Sequence, residues 1–255
     1  VWSGQRLTPP FGETNAPASS AGALVFKPGP LAYSSAMTDP FANRRLRPSP
    51  TGRPELDALL TELAVADAEL EERVVKREDI YRGRVVVVER DQIVRTDGSD
   101  SSRDVVVHPG AVVVAPLDGD GRLFLVVQYR FTGNGAMLEL PAGSLDVHEG
   151  VREDAEVAAH RELEEETGYR AGKMERIGGY YSAPGFLTEY LTLFLATDLR
   201  PAGRDRLSPD EDERIRLVRL PLRDAIAAID AGIIEDSKSI AGILLLARRL
   251  EAPNR

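Results

Sequence analysis

The sequence contains no cysteine. Disulfides, thiolate-held zinc and thiol catalysis are therefore excluded, and the redox compartment stays unconstrained. Histidine stands only at 108, 148 and 160, too scattered for a histidine metal cluster. No apolar run reaches the roughly 18 residues that a spanning helix needs, and no basic segment with a long apolar core opens the sequence. A cytoplasmic protein without a membrane partner is expected. Positive charge is short as well: the net charge of -9 argues against nucleic acid or an anionic membrane as partner, because both require a basic patch. Lysine occurs only at 27, 76, 173 and 238, a bias that carries no functional weight by itself, and no internal repeat is found.

What is present suffices for one good core with appendages: 255 residues, 42% apolar and 29% charged. Residues 1–53 are rich in Pro, Ser, Ala and Gly without period 2 or 3.6, and read as a poorly ordered extension. Met37, followed by Thr38-Asp39-Pro40, reads as the natural start, with residues 1–36 an over-extended reading frame. A native N-terminal peptide mapping upstream of Met37 would overturn that reading. Residues 54–76 predict an amphipathic helix: Pro54 suits the first turn, and Leu56, Leu59, Leu60, Leu63, Leu70 and Val74 recur on one side. That side is expected to dock on the chain's own core, with a subunit contact as the alternative.

Residues 77–255 read as the main domain. Val85–Val88, Ile93–Val94 and Val105–Val107 predict strands, and Ala111–Pro116 with Leu123–Tyr129 predict a hairpin around Asp118-Gly119-Asp120-Gly121. Ile177–Tyr181 and Tyr190–Thr197 read as further strands, and 222–229 and 239–249 as helices parted at Gly232, the second with Ile240, Ile243, Leu244 and Ala247 on its core face.

The densest chemistry is Arg161-Glu162-Leu163-Glu164-Glu165-Glu166-Thr167-Gly168-Tyr169, a helix that stops at a capping glycine. Glu162, Glu165 and Glu166 fall on one face, apart from the apolar stripe Ala155, Ala159 and Leu163. Each like-charge pair at this spacing costs about 0.2–0.5 kcal/mol, so a hard divalent cation is a natural compensation, Mg²⁺ first among them.

This stretch resembles the Nudix box of Nudix hydrolases, with Glu139-Leu140-Pro141-Ala142-Gly143 resembling the strand and turn that lead into it. The family's pattern is departed from in spacing: between Gly143 and Arg161 four residues are extra. We place them in the loop 146–152, with Glu153 in register; the role of Glu149 is left open. Asp104-Val105-Val106-Val107-His108-Pro109-Gly110-Ala111 and Gln128-Tyr129-Arg130 resemble the ADP-ribose pyrophosphatase branch, and Ala183-Pro184-Gly185 resembles its Ser-Pro-Gly segment with alanine for serine.

The resemblance implies an α/β fold, an α/β/α sandwich with a mixed sheet preceded by the N-terminal extension. It implies hydrolysis of the diphosphate of ADP-ribose to AMP and ribose 5-phosphate with Mg²⁺, or Mn²⁺. Glu162 and Glu166, the Ala142 carbonyl and Glu165, directly or through water, would hold metal, with Arg161 orienting Glu165. Arg103, Arg130, Pro184 and Gly185 would meet the substrate, since guanidinium forks match phosphate oxygens. Glu213 on a mobile loop would be the general base, with Glu211 as the alternative. Glu189 points to the metal site or merely starts a strand, and His108 is expected to be structural. A homodimer follows from the same resemblance. Alternatives are another nucleoside diphosphate or nucleoside diphosphate sugar, such as CDP or GDP-mannose, and a non-catalytic module that senses ADP-ribose.

Overall fold

The computed structural model describes residues 50–83, 86–208 and 214–251. Met37, most of the N-terminal extension, and both Glu211 and Glu213 lie outside the described residues.

Helix α1 (Pro54–Glu69) begins at the proline, with Glu55 and Asp57 in its first turn, where a carboxylate complements the helix dipole. It ends seven residues earlier than the sequence suggested, at a Leu70 that has left helical geometry, and Val74 belongs to the next strand. The β-branched pair Val74-Val75 favours extended backbone over helix. The expected docking on the chain's own core is not found: none of the residues of α1 is buried, and Leu56, Leu59, Leu63 and Leu70 are exposed.

Strands β1 (Glu72–Arg82), β2 (Val87–Arg95) and β3 (Asp100–Val107) form an antiparallel sheet in the order β1-β2-β3. Strand β4 (Ala111–Pro116) is buried at every position. After the Asp118–Gly121 turn comes β5 (Arg122–Arg130), but the expected hairpin does not form. An isolated bridge joins Leu117, just after β4, to Leu123, and the two strands pass into different sheets. Near-continuous apolar runs explain this, since a strand buried on both faces needs layers on both sides.

The chain continues through β6 (Gly135–Glu139), β7 (Ala142–Ser144) and a small ribbon of β8 (Val147–His148) and β9 (Val151–Arg152). This ribbon occupies the stretch 146–152 in which the four extra residues are expected, and it turns through Glu149 (φ 53°) and Gly150 (φ 81°). Two successive positive φ angles suit a tight two-residue turn, and Glu149 is exposed at its tip.

Helix α2 (Ala155–Thr167) follows, then β10 (Tyr169–Tyr181), β11 (Tyr190–Pro201), β12 (Arg216–Pro221), α3 (Leu222–Asp230) and α4 (Ser237–Glu251). The central sheet runs β10-β11-β4-β7, with β11 parallel to β4, and a second sheet runs β12-β5-β6. Alternation along β4 divides the core. Val112 and Val114 pack with Ala158, Ala159 and Leu163 of α2, whereas Ala111, Val113 and Ala115 belong with Ile243 and Leu246 of α4. The mixed sheet thus lies between helical layers, as expected for an α/β/α sandwich. On α4 the core face includes Gly242 and Leu246, while Leu244, expected inside, is 42% exposed.

Gly242 sets how closely α4 approaches the sheet: an added Cβ would lie 2.5 Å from Leu140 Cδ1 and 3.3 Å from Leu193 Cδ1, both on fully buried side chains. Gly242→Ala gains about 0.5–1 kcal/mol of helix propensity but forces overpacking of about 1–3 kcal/mol. A net loss of about 1 kcal/mol is expected by urea denaturation; a stabilised variant would show that the helix can retreat freely.

Candidate active site

Helix α2 brings the acidic residues to the edge of β7. Its N-cap is Asp154, whose Oδ1 accepts from Glu156 N (2.9 Å) and Val157 N (3.2 Å), and its C-cap is Gly168 in the left-handed region. The apolar residues Ala158, Ala159 and Leu163 fix the helix on the sheet, and this rotation carries Glu162 and Glu166 to the Ala142–Gly143 backbone. Both carboxylates are buried, at 8% and 6% exposed.

The sequence places Glu162, Glu165 and Glu166 on one face, but they do not meet at one point. Glu162 Oε1 and Glu165 Oε2 accept from Arg161 Nη1, at 2.6 and 3.0 Å, while Glu166 Oε2 accepts from Ala142 N at 3.0 Å. Among the described residues no three acidic or histidine side chains form a ready-made metal cluster. Like-charge repulsion is offset here by Arg161 and a backbone N–H. The donor set still suits a hard divalent cation, being oxygen throughout. Space is reserved too. A Cβ on Gly143 would fall 2.0 Å from Glu162 Oε1, so the carboxylate rests on a backbone surface that any other residue would fill.

Arg161 is a clamp rather than the partner of Glu165 alone. Its Nε and Nη2 donate to Glu153 at 3.1 and 2.8 Å, and Nη2 also to the Ser144 carbonyl at 3.2 Å. Glu153 first, and Glu162 after it, hold the guanidinium firmly protonated against burial. Glu153, in turn, is held below the usual carboxylate range by Arg161. Glu153 precedes the N-cap rather than lying in the helix, so the ribbon of surplus residues is inserted ahead of it without disturbing the clamp.

Glu164 has a different task, which the sequence did not disclose. It is 7% exposed, accepts both Arg170 Nε and Nη2 at 2.7 Å, and accepts Leu207 N at 3.0 Å. It ties the helix to the segment after β11, where Ala202 N also donates to the Gly168 carbonyl at 2.8 Å. The signal available was Arg170, six residues on.

Arg130 lies at the end of β5 and donates through Nε and Nη2 to Glu139, at 2.8 and 2.6 Å. The charge of Glu166 also acts on it, which sets it beside the acidic helix. Arg103, on β3, pairs instead with Glu72 of β1 and donates to the Ser102 carbonyl at 2.9 Å. Pro184 and Gly185 are exposed in a turn whose Phe186 and Leu187 N–H groups both reach the Ala183 carbonyl. That turn docks on β3, where Val106 N donates to Phe186 O at 2.7 Å. Arg103 and the Pro184 turn therefore share one strand, and Arg130 stands with the glutamates.

His108 links these regions. Its Nδ1 accepts Gly110 N at 3.1 Å, so the proton of the neutral ring is assigned to Nε2, which lies 3.3 Å from Ser144 Oγ and 3.5 Å from Glu189 Oε1. Burial, opposed by Glu189, pushes its pKa below the ordinary value. A donor fixed in this way suits a structural role. An open depression lined by Asp120, Arg122, Pro221 and Arg223 contains none of these residues.

Acid stability should reflect these groups. As pH falls through about 6.5, unfolded His108 takes up a proton that the folded ring resists, so stability declines. A second decline is expected below about pH 4. There Glu139 and Asp236, pushed up by burial but held lower by Arg130, Lys238 and Ser239, lose their advantage together with Glu153. Urea midpoints at several pH values should show both steps, and His108→Gln should remove the upper one.

A model of the NUDIX domain matches residues 107–241. An ADP-ribose pyrophosphatase of Bacillus subtilis (strain 168) is 35% identical over 177 residues, covering 69% of this chain and 93% of the relative. A methanol dehydrogenase activator of Bacillus methanolicus is 37% identical over 176 residues, covering 69% and 92%. Among solved structures, an ADP compounds hydrolase aligns with a TM-score of 0.62 over 71% of this chain and 95% of that one, at 23% identity, a likeness of fold. The matched span carries α2, the Gly143 edge and β11 alike, and with more than half of the chain inside it the protein belongs to the NUDIX domain family.

Proposed function

We propose that the protein hydrolyses the diphosphate bond of ADP-ribose to AMP and ribose 5-phosphate, using Mg²⁺ or Mn²⁺. The observation that carries the reading is the seating of two buried carboxylates, Glu162 on Gly143 and Glu166 on Ala142 N. Glu162 and Glu166, with Glu165 and the Ala142 carbonyl, would hold the cation. When bound, it supplies Lewis-acid screening of the diphosphate and a more acidic water. Arg161 holds Glu162 and Glu165 in place through Nη1. Arg130 would take a phosphate oxygen by its fork, and Arg103 with the Pro184–Gly185 turn would meet the rest of the substrate. By resemblance Glu213, with Glu211 as the alternative, would accept the proton of the attacking water.

The relative named an ADP-ribose pyrophosphatase, covered almost throughout its length, supports the choice of ADP-ribose over CDP or GDP-mannose. The test is a panel of ADP-ribose, GDP-mannose, NADH, CDP and dinucleoside polyphosphates compared as kcat/KM. A preference for another member would displace ADP-ribose, and calorimetric binding of ADP-ribose without release of AMP would instead identify a sensing module. Leu56, Leu59 and Leu63 of α1, and Leu70 just after it, are exposed apolar side chains, and we assign a homodimer contact to this helix. Light scattering of the full chain that gave a monomer would refute this. No described helix is long and apolar enough to cross a membrane; we place the protein in the cytoplasm, to be checked by cell fractionation.

A further inference from the structure

Glu139 is 1% exposed and meets two cationic side chains. Arg130 meets it from β5 with a two-pronged fork, and Lys238 Nζ from the first turn of α4 meets the same Oε2. Lys238 also donates to Asp236 Oδ2 at 2.8 Å, and that oxygen accepts Ser239 N at 3.0 Å and Ser239 Oγ at 2.5 Å. Ser239 Oγ in turn accepts Leu140 N at 2.7 Å. The two cations and two carboxylates balance, which is the condition under which buried charge is tolerated.

This arrangement has a direction. Glu139 is held from two sides, in β6 by pairing with Val126 and from α4 by Lys238. The Arg130 side chain, by contrast, is 39% exposed, and its fork on Glu139 uses Nε and Nη2, leaving the Nη1 edge outward of the contact. A planar guanidinium held along one edge cannot rotate, so its remaining donors keep one orientation. The same strand end leads through Leu140 and Pro141 to Ala142, whose N–H holds Glu166, and Pro141 O is itself fixed by Val114 N at 2.8 Å.

We propose that Glu139, braced by Lys238, is a positioning residue that presents Arg130 to the substrate's phosphate in register with the metal-binding edge. The inference rests on the substrate role given to Arg130 above. It differs from a stabilising role in what it requires of Arg130: once the guanidinium is gone, Glu139 has nothing left to position.

The test is a double-mutant cycle on the full chain with Arg130→Met, Glu139→Gln and the pair, assayed with ADP-ribose and saturating Mg²⁺. Binding of ADP-ribose in EDTA, read by calorimetry, serves as a second readout. Arg130→Met and Glu139→Gln should each raise KM by about tenfold or more, the scale of a lost hydrogen bond to a charged group, with kcat changed less than KM. The double variant should match Arg130→Met alone. Effects that multiply would overturn the proposal, because Glu139 would then act independently of Arg130. An unchanged KM for Arg130→Met would instead overturn the substrate role of Arg130 itself, and the proposal with it. If Glu139→Gln does not fold, Glu139→Asp keeps the buried charge and withdraws it by one methylene, and the same non-additivity is required of it. Lys238→Arg should retain most of the wild-type KM where Lys238→Met does not; equal defects would remove the brace from the proposal.

Discussion

Glu162→Gln and Glu166→Gln are each expected to lower kcat by more than about 100-fold, beyond the 10–100-fold that outer partners of a metal site contribute. The substitution keeps shape and removes the negative charge that a hard cation requires. Stability should hardly suffer. An amide oxygen can still accept Arg161 Nη1 at position 162 or Ala142 N at position 166, and one fewer carboxylate in the cluster relieves about 0.2–0.5 kcal/mol of repulsion per pair. Glu164→Gln should do the reverse. Its carboxylate holds Arg170 and Leu207 N rather than the Gly143 edge, so the melting temperature should fall while turnover changes far less. Calorimetric Mg²⁺ titration and thermal melts of the three variants check both halves. Near-normal turnover of Glu162→Gln or Glu166→Gln would end the metal assignment.

That four neighbouring glutamates divide into different tasks was only partly legible in the sequence. Helical spacing separates Glu164 from Glu162, Glu165 and Glu166, and Gly168 marks the end of the helix, both of which the structure reproduces. Spacing does not say what a side chain meets. Glu164 finds Arg170 and Leu207 because β10 and the segment after β11 fold back on the helix, a long-range event. Periodicity also failed where burial is one-sided or absent. Strand β1 is exposed at all but one position and seven of its eleven residues are charged, so no apolar repeat announces it. Conversely, the Asp118–Gly121 turn between β4 and β5 reads locally as a hairpin, although the two strands serve separate sheets. Lys238 carried no weight as one of four lysines, yet it is the partner of a fully buried carboxylate. Its significance comes from a contact with Glu139, 99 residues away in sequence.

The seating of Glu162 makes Gly143→Ala the most discriminating single change in the site. Gly143 lies in β7 opposite Val112, and its φ is not in the left-handed region, so the backbone accepts alanine. What does not accept it is the carboxylate: the new Cβ would stand 2.0 Å from Glu162 Oε1 and 2.1 Å from Cδ. These atoms are the far end of a flexible side chain, so Glu162 can turn aside at an off-rotamer cost of about 0.5–1.5 kcal/mol. The fold should survive with a modest drop in melting temperature. Activity should not, since displacing a reacting group by about 1 Å can cost 100-fold. Gly119→Ala, where an added Cβ meets nothing within 4 Å, is the control for handling and expression. Glu162→Asp supplies the decisive comparison. Shortening the acid by one methylene makes room for the alanine, so Gly143→Ala with Glu162→Asp should be no worse than Glu162→Asp alone. If the two defects multiply instead, alanine at 143 harms the site by some route other than the carboxylate it was expected to displace.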